Sequence, residues 1–165
     1  MNSILAELSN IAYPPVLVDS KSVWVTKFNE KVHAGFASPA EDLGEKRIDL
    51  TAELVSHPDA TYLTQATGHS MIKFGIFDGD LLVVNRALDA KHGSIVLAVV
   101  DGQCTVKKLY MWQGCVKLQA GNPSFTDITF KEEQELIVWG VIEHTIKSFS
   151  RKHRKSQHGK YVRVG

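Results

Sequence analysis

Beyond Ala60 the chain becomes a series of short apolar runs separated by Gly, Asp and Asn: ATYLTQA, DLLVVN, SIVLAVV, QCTVKKLYMW, CVKLQA, DITF and ELIVWGVIEHTIK. Runs rich in β-branched and aromatic side chains and bounded by turn formers predict strands, and their close spacing predicts antiparallel pairing. The pair Asp101-Gly102 lies between VLAVV and QCTVKKL. It predicts a hairpin with a type I′ turn, which needs positive φ at both central residues. A two-residue loop there sets Val96 opposite Lys107 and Ile95 opposite Lys108. The expected fold class is therefore mainly β, a compact antiparallel sheet domain.

Before Ala60 the pattern is different. Ile4, Leu5, Leu8 and Ile11 recur at helical spacing, and Tyr13-Pro14-Pro15 ends any helix. Residues 26–48, TKFNEKVHAGFASPAEDLGEKRI, lack sustained periodicity and hold two glycines, a proline and many charges. They are expected to form an exposed linker. A second short helix is expected around Leu50 to Ser56, closed by His57-Pro58, and no internal repeat is visible. The organisation expected is an arm over 1–34, a linker over 35–50, a domain over 51–147 and a tail over 148–165.

A length of 165 residues with 44% hydrophobic and 22% charged side chains suits one such domain with arms. The start MNSILAELSN has no basic opening and no small-residue cleavage site, and no stretch of about 18 apolar residues occurs. A cytoplasmic protein without membrane contact is expected. Cys104 and Cys115 are too few for a disulfide framework and lack the paired spacing of a zinc site, so reduced, partly buried thiols are expected, with no metal and no cofactor. The net charge of +1 conceals an asymmetry. Arg151, Lys152, Arg154, Lys155, Lys160 and Arg163 follow residue 150 with no acid, leaving 13 basic against 18 acidic side chains, a net of −5, in residues 1–150. The basic 151–163 stretch is expected to be a solvated end, the alternative being weak contact with nucleic acid or an acidic partner.

The candidate chemistry lies in GHSMIKFGIFDGD, residues 68–80. Ser70-Met71-Ile72-Lys73 has the Ser-x-x-Lys spacing of penicillin-recognising enzymes, but the accompanying S-D-N and K-T-G elements are absent. Lys73 reads as a solvated surface lysine. His69 is adjacent to Ser70 and points elsewhere on a helix or strand, and His33, His57, His92 and His144 have no acid at a recognisable spacing. A Ser-His-Asp triad is recognised by geometry and not by sequence order, so it stays open, though nothing in the sequence favours it. The other route is a lysine brought in from a strand. It must be neutral to accept a proton, so its ammonium has to be destabilised by burial among apolar neighbours. In the predicted hairpin Lys107 shares one face with Thr105, Leu109, Val96 and Ala98. Lys108 shares the other with Cys104, Val106, Ile95 and Leu97. Periodicity does not choose between them.

The stretches HPDATYLTQATGHSM, GIFDGDLLVV, HGSIVLAVVDGQCTVKKL and VWGVIEHTIK closely resemble, in order and spacing, the UmuD branch of the LexA/UmuD self-cleaving serine peptidases. The resemblance runs from about Ala34 to Lys147. It implies a LexA/signal-peptidase-like fold, Ser70 as nucleophile and the first lysine of Lys107-Lys108 as general base. It also implies Ala34-Gly35 as the bond cut, with the backbone amides of Ser70 and Met71 as oxyanion hole. Met71 is expected to pack the cleft wall, and Asp78 and Asp80 to hold the turn. The partners implied are a second copy in a homodimer, the RecA filament on single-stranded DNA as activator, and a UmuC-like Y-family polymerase that uses the trimmed dimer in error-prone lesion bypass. Residues 1–34 are expected to hold one short helix before Pro-Pro, too little for the helix-turn-helix domain of the family's repressors. The rival expectation is a non-cleaving dimeric binding module of the same fold.

Overall fold

The computed structural model describes residues 16–17, 21–28, 45–130 and 134–149. Among these, eight strands form one antiparallel sheet: β1 (Val16–Leu17), β4 (Thr61–Gln65), β5 (Leu81–Asn85), β10 (Leu136–Ile146), β6 (Ile95–Val100), β7 (Gln103–Trp112), β8 (Cys115–Gln119) and β9 (Ile128–Thr129), in that spatial order. The mainly antiparallel β class is the one the apolar runs predict. At the Asp101-Gly102 turn both residues have positive φ, 48° and 76°. The register places Val96 opposite Lys107 and Ile95 opposite Lys108. Gln113-Gly114 repeats the device between β7 and β8, with φ of 47° and 77°.

β6 is buried on both faces, which is why its sequence is a continuous apolar run and not an alternation. Leu97 and Val99 pack with Met71, Ile76, Leu82, Val84 and Trp139, while Val96 and Ala98 pack with Leu109 and Leu118. β10 joins the β4–β5 pair to the β6–β8 meander. Its register slips at Trp139 against β6 and at Glu143 against β5, two bulges that bend the strand. Between them a Cβ at Gly140 would stand 2.8 Å from Val84 Cγ1 and 3.1 Å from Asn85 O, so glycine permits the close approach of β5.

Three expectations need correction. Trp24–Phe28 (β2) and Glu45–Asp49 (β3) pair as a separate two-stranded sheet, so the ends of the expected linker are strands. The described side chains of both strands are largely exposed, and neither WVTKF nor EKRID alternates cleanly between apolar and polar positions. The short helix spans Leu50–Leu54 (α1) and stops before Ser56. Asp49 caps it, its Oδ1 accepting from Thr51 N at 2.9 Å, while Val55 turns extended and a separate 3₁₀ turn follows at Pro58–Ala60. Cys104 is half-buried but Cys115, at the first position of β8 beside the hairpin tip, is exposed. The apolar positions Ile4 to Ile11, the Ala34-Gly35 pair and the basic stretch 151–163 lie outside the described residues.

Candidate active site

Ser70 stands in the loop from β4 to β5, two residues before a 3₁₀ turn at Ile72–Phe74 that ends at Gly75 with φ 78°. The loop is held at several points. Gly68 N donates to Asp78 Oδ1 at 2.7 Å, and Phe77 N donates to Asp80 Oδ2 at 2.8 Å. From the end of β10 the Lys147 ammonium reaches the Asp80 carboxylate and donates to Gly75 O at 2.6 Å. Burial pushes the Asp80 carboxyl up, but the Lys147 hydrogen bond and charge, with the Phe77 amide and the Thr145 hydroxyl, hold it below the ordinary carboxylate range. The segment after β8 closes the other side. Gly121 N donates to Ser70 O at 2.7 Å, Lys73 N donates to Gly121 O at 2.8 Å, and Asn122 Nδ2 donates to His69 O at 2.9 Å.

Lys107 comes from the middle of β7 and is only 7% exposed. Its Nζ donates to Ser70 Oγ at 3.0 Å, Thr105 Oγ1 at 3.0 Å and Val106 O at 3.1 Å. Among the described residues no carboxylate pairs with it, and burial pushes its ammonium below the ordinary lysine value. The arrangement suits a neutral amine. Two N–H bonds can remain on Thr105 and Val106, which turns the lone pair toward Ser70 Oγ. Lys108 faces differently, its Nζ lying 5.0 Å from the centroid of the exposed Phe74 ring.

The structure thus brings Ser70 and Lys107 together. Lys73 is exposed, bound through its backbone amide to Gly121. Among the described residues no histidine bonds Ser70. His57 Nδ1 meets Ser56 Oγ and Asn85 Nδ2, and His92 Nδ1 meets the Met111 backbone. Met71 is buried in the wall of a cleft of about 150 Å³ that runs past Ser70 between Gln65–Gly68 and Cys104–Val106. No cluster of His, Cys, Asp and Glu among the described residues could hold a metal, and no described helix is long and apolar enough to cross a membrane.

Thr105, Lys147 and the Gly121-Asn122 segment also shape the site, and sequence reasoning did not single them out for it. The i, i+2 spacing of Thr105 and Lys107 on one strand face is the one signal that could have found the first. The other contacts join segments distant in the chain.

Residues 26–143 match the family model described as Peptidase S24-like. The chain is 38% identical over 120 residues to Protein ImpA of Salmonella typhimurium, covering 72% of this chain and 81% of that protein. It is 38% identical over 119 residues to Protein MucA of Escherichia coli, covering 71% and 80%. A LexA repressor of Xylella fastidiosa (strain M12) is 38% identical over 100 residues, covering 61% of this chain and 47% of the repressor.

Proposed function

The chain belongs to the S24-like peptidase family, of LexA/UmuD type, and on that premise we propose that it is a serine peptidase that cuts its own Ala34-Gly35 bond with Ser70 and Lys107. The observation that carries this reading is the 3.0 Å contact between the Ser70 hydroxyl and a buried lysine amine that has no acid beside it among the described residues. Neutral Lys107 takes the Ser70 proton as Oγ attacks the Ala34 carbonyl carbon. The tetrahedral oxyanion faces the Ser70 and Met71 amides. Among the described residues no backbone acceptor engages either amide. Lys107 then returns the proton to the nitrogen of Gly35 as the peptide bond breaks, leaving Ala34 as an ester on Ser70. Water, deprotonated by Lys107, hydrolyses that ester and releases the Ala34 carboxylate and the free Ser70 hydroxyl.

The substrate is tethered, so a high effective concentration replaces a bimolecular encounter and the reaction needs restraint. RecA on single-stranded DNA supplies the release by favouring the docked form of the 1–34 arm and the 35–50 linker. The trimmed homodimer then serves a UmuC-like Y-family polymerase in SOS mutagenesis. The reading is supported by the family match and the UmuD-like relatives.

The test is intact-mass spectrometry after incubation with RecA, single-stranded DNA and a nucleotide, or at alkaline pH. Fragments beginning at Gly35 are expected from the wild type and Lys73→Ala and not from Ser70→Ala or Lys107→Ala. A chain that stays whole throughout refutes the reading and leaves a binding module of the same fold.

A further inference from the structure

The carbonyls behind the two candidate oxyanion-hole amides are both occupied, and by neighbouring residues. In a trans peptide unit the C=O and the following N–H share one plane and point in opposite directions. His69 C=O belongs to the unit that carries the Ser70 N–H, and it accepts from Asn122 Nδ2 at 2.9 Å. Ser70 C=O belongs to the unit that carries the Met71 N–H, and it accepts from Gly121 N at 2.7 Å. Each bond fixes the rotation of a peptide plane from its far side and aims the opposite N–H.

We propose that Asn122 is a positioning residue that, with the Gly121 amide, sets the direction of the oxyanion-binding N–H groups. The inference rests on the peptidase reading given above. Asn122 is itself fixed. Its Oδ1 accepts from Ser124 N at 3.0 Å and its carbonyl accepts from Phe125 N at 3.0 Å, so the side chain is held in a closed turn with the Nδ2 donor left for His69. The turn is tied to its own strand by Asp127, whose Oδ1 accepts from Ala120 N at 3.0 Å and whose Oδ2 pairs with Lys117 at 3.3 Å. β8 in turn pairs with β7, Lys108 lying opposite Gln119. One continuous bracket therefore runs from the strand that carries Lys107 to the peptide planes on either side of Ser70. It places base, nucleophile and amides in one frame. A bond to the carbonyl also polarises the peptide and strengthens its N–H as a donor.

The test uses the full chain with Asn122→Ala and Asn122→Ser. Serine keeps a side-chain acceptor for the Ser124 amide but lacks the reach to His69, so it separates lost positioning from a collapsed turn. Two measurements are made: the pH profile of self-cleavage, and the affinity for a peptide boronic acid ending at Ala34, whose tetrahedral adduct on Ser70 places an oxygen at the oxyanion position. Outright loss of an oxyanion donor costs about 10²–10³ in rate, so a misaimed pair is expected to cost roughly 10-fold or more. The expected result is that loss in the alkaline plateau rate of both variants, an equal loss in boronate affinity, and an unmoved midpoint, since Lys107 keeps its burial. Rates within about twofold of wild type, or a rate loss with unchanged boronate affinity or a shifted midpoint, would overturn the inference. A wild type that neither cuts itself nor binds the boronate sinks the peptidase reading instead.

Discussion

If Lys107 is the base of the proposed mechanism, it links rate to stability through one proton, and the link has a calculable slope. Burial lowers its ammonium below the ordinary lysine value of about 10.4. Between the lowered folded value and that ordinary value, the unfolded chain binds one more proton than the folded one. Stability therefore rises with pH in this window, by about 1.4 kcal/mol per pH unit. The penalty for the buried ammonium is absent above about 10.4, grows as pH falls and is complete below the folded value. The cleavage rate follows the neutral fraction, rising about tenfold per pH unit up to the folded value and then levelling. The perturbation is Lys107→Met, introduced beside Ser70→Ala so that no chain is cut during measurement. Urea unfolding of Ser70→Ala with and without Lys107→Met across alkaline pH gives a difference in which other titrating groups cancel. Methionine leaves Thr105 Oγ1 and Val106 O without their ammonium donor, about 1 kcal/mol each, a constant offset that carries no slope. The expected difference is flat below the folded value, then shifts by about 1.4 kcal/mol per pH unit in favour of the lysine chain up to the ordinary value. Its break coincides with the levelling of the wild-type cleavage rate. A difference with no pH dependence, or a rate that levels well away from the break, refutes the assignment of Lys107 as a buried neutral base.

Two further outcomes follow from single contacts. Thr105→Val keeps the side-chain shape but removes an acceptor that orients the Lys107 amine, and a mass-spectrometric time course is expected to show self-cleavage slowed about tenfold, the rate equivalent of one net hydrogen bond. Asp80→Asn breaks the charged bond to Lys147 and is expected to lower urea stability by about 2 kcal/mol at neutral pH. Because the folded Asp80 carboxyl is held low, the wild-type advantage is present above the ordinary aspartate value and is lost as pH falls through the folded one.

The parts of the fold that were legible in the sequence are those coded locally. Asp101-Gly102 dictates its own turn, and the turn dictates the pairing of Val96 with Lys107. The apolar runs mark their strands because both faces of β6 are buried. The β2–β3 pair was not legible: Trp24–Phe28 meets Glu45–Asp49 across a long interval, and the charged run of β3 announces no partner for the short apolar stretch of β2. The choice between Lys107 and Lys108 was open to periodicity, which separates their faces but does not say which one meets the serine turn. Asn122 was silent for a related reason. Its contact with His69 spans 53 positions and ends on a backbone carbonyl, which carries no residue identity. Cys115 was misjudged because exposure at a hairpin tip depends on what packs above it, not on the residue type.

The position of β10 in the sheet bears on the order in which a newly made chain acquires its parts. Among the described residues the strand is the last in sequence, Leu136–Ile146, yet it lies between β5 and β6 and provides their connection. While a ribosome is still holding that segment, the β4–β5 pair that carries the Ser70 loop and the β6–β8 meander that carries Lys107 have no strand between them. Until then the Gly121-Asn122 contacts and the Lys107–Ser70 bond are what join the serine loop to the strand of the lysine, and β10 completes the frame by closing the sheet between the two halves.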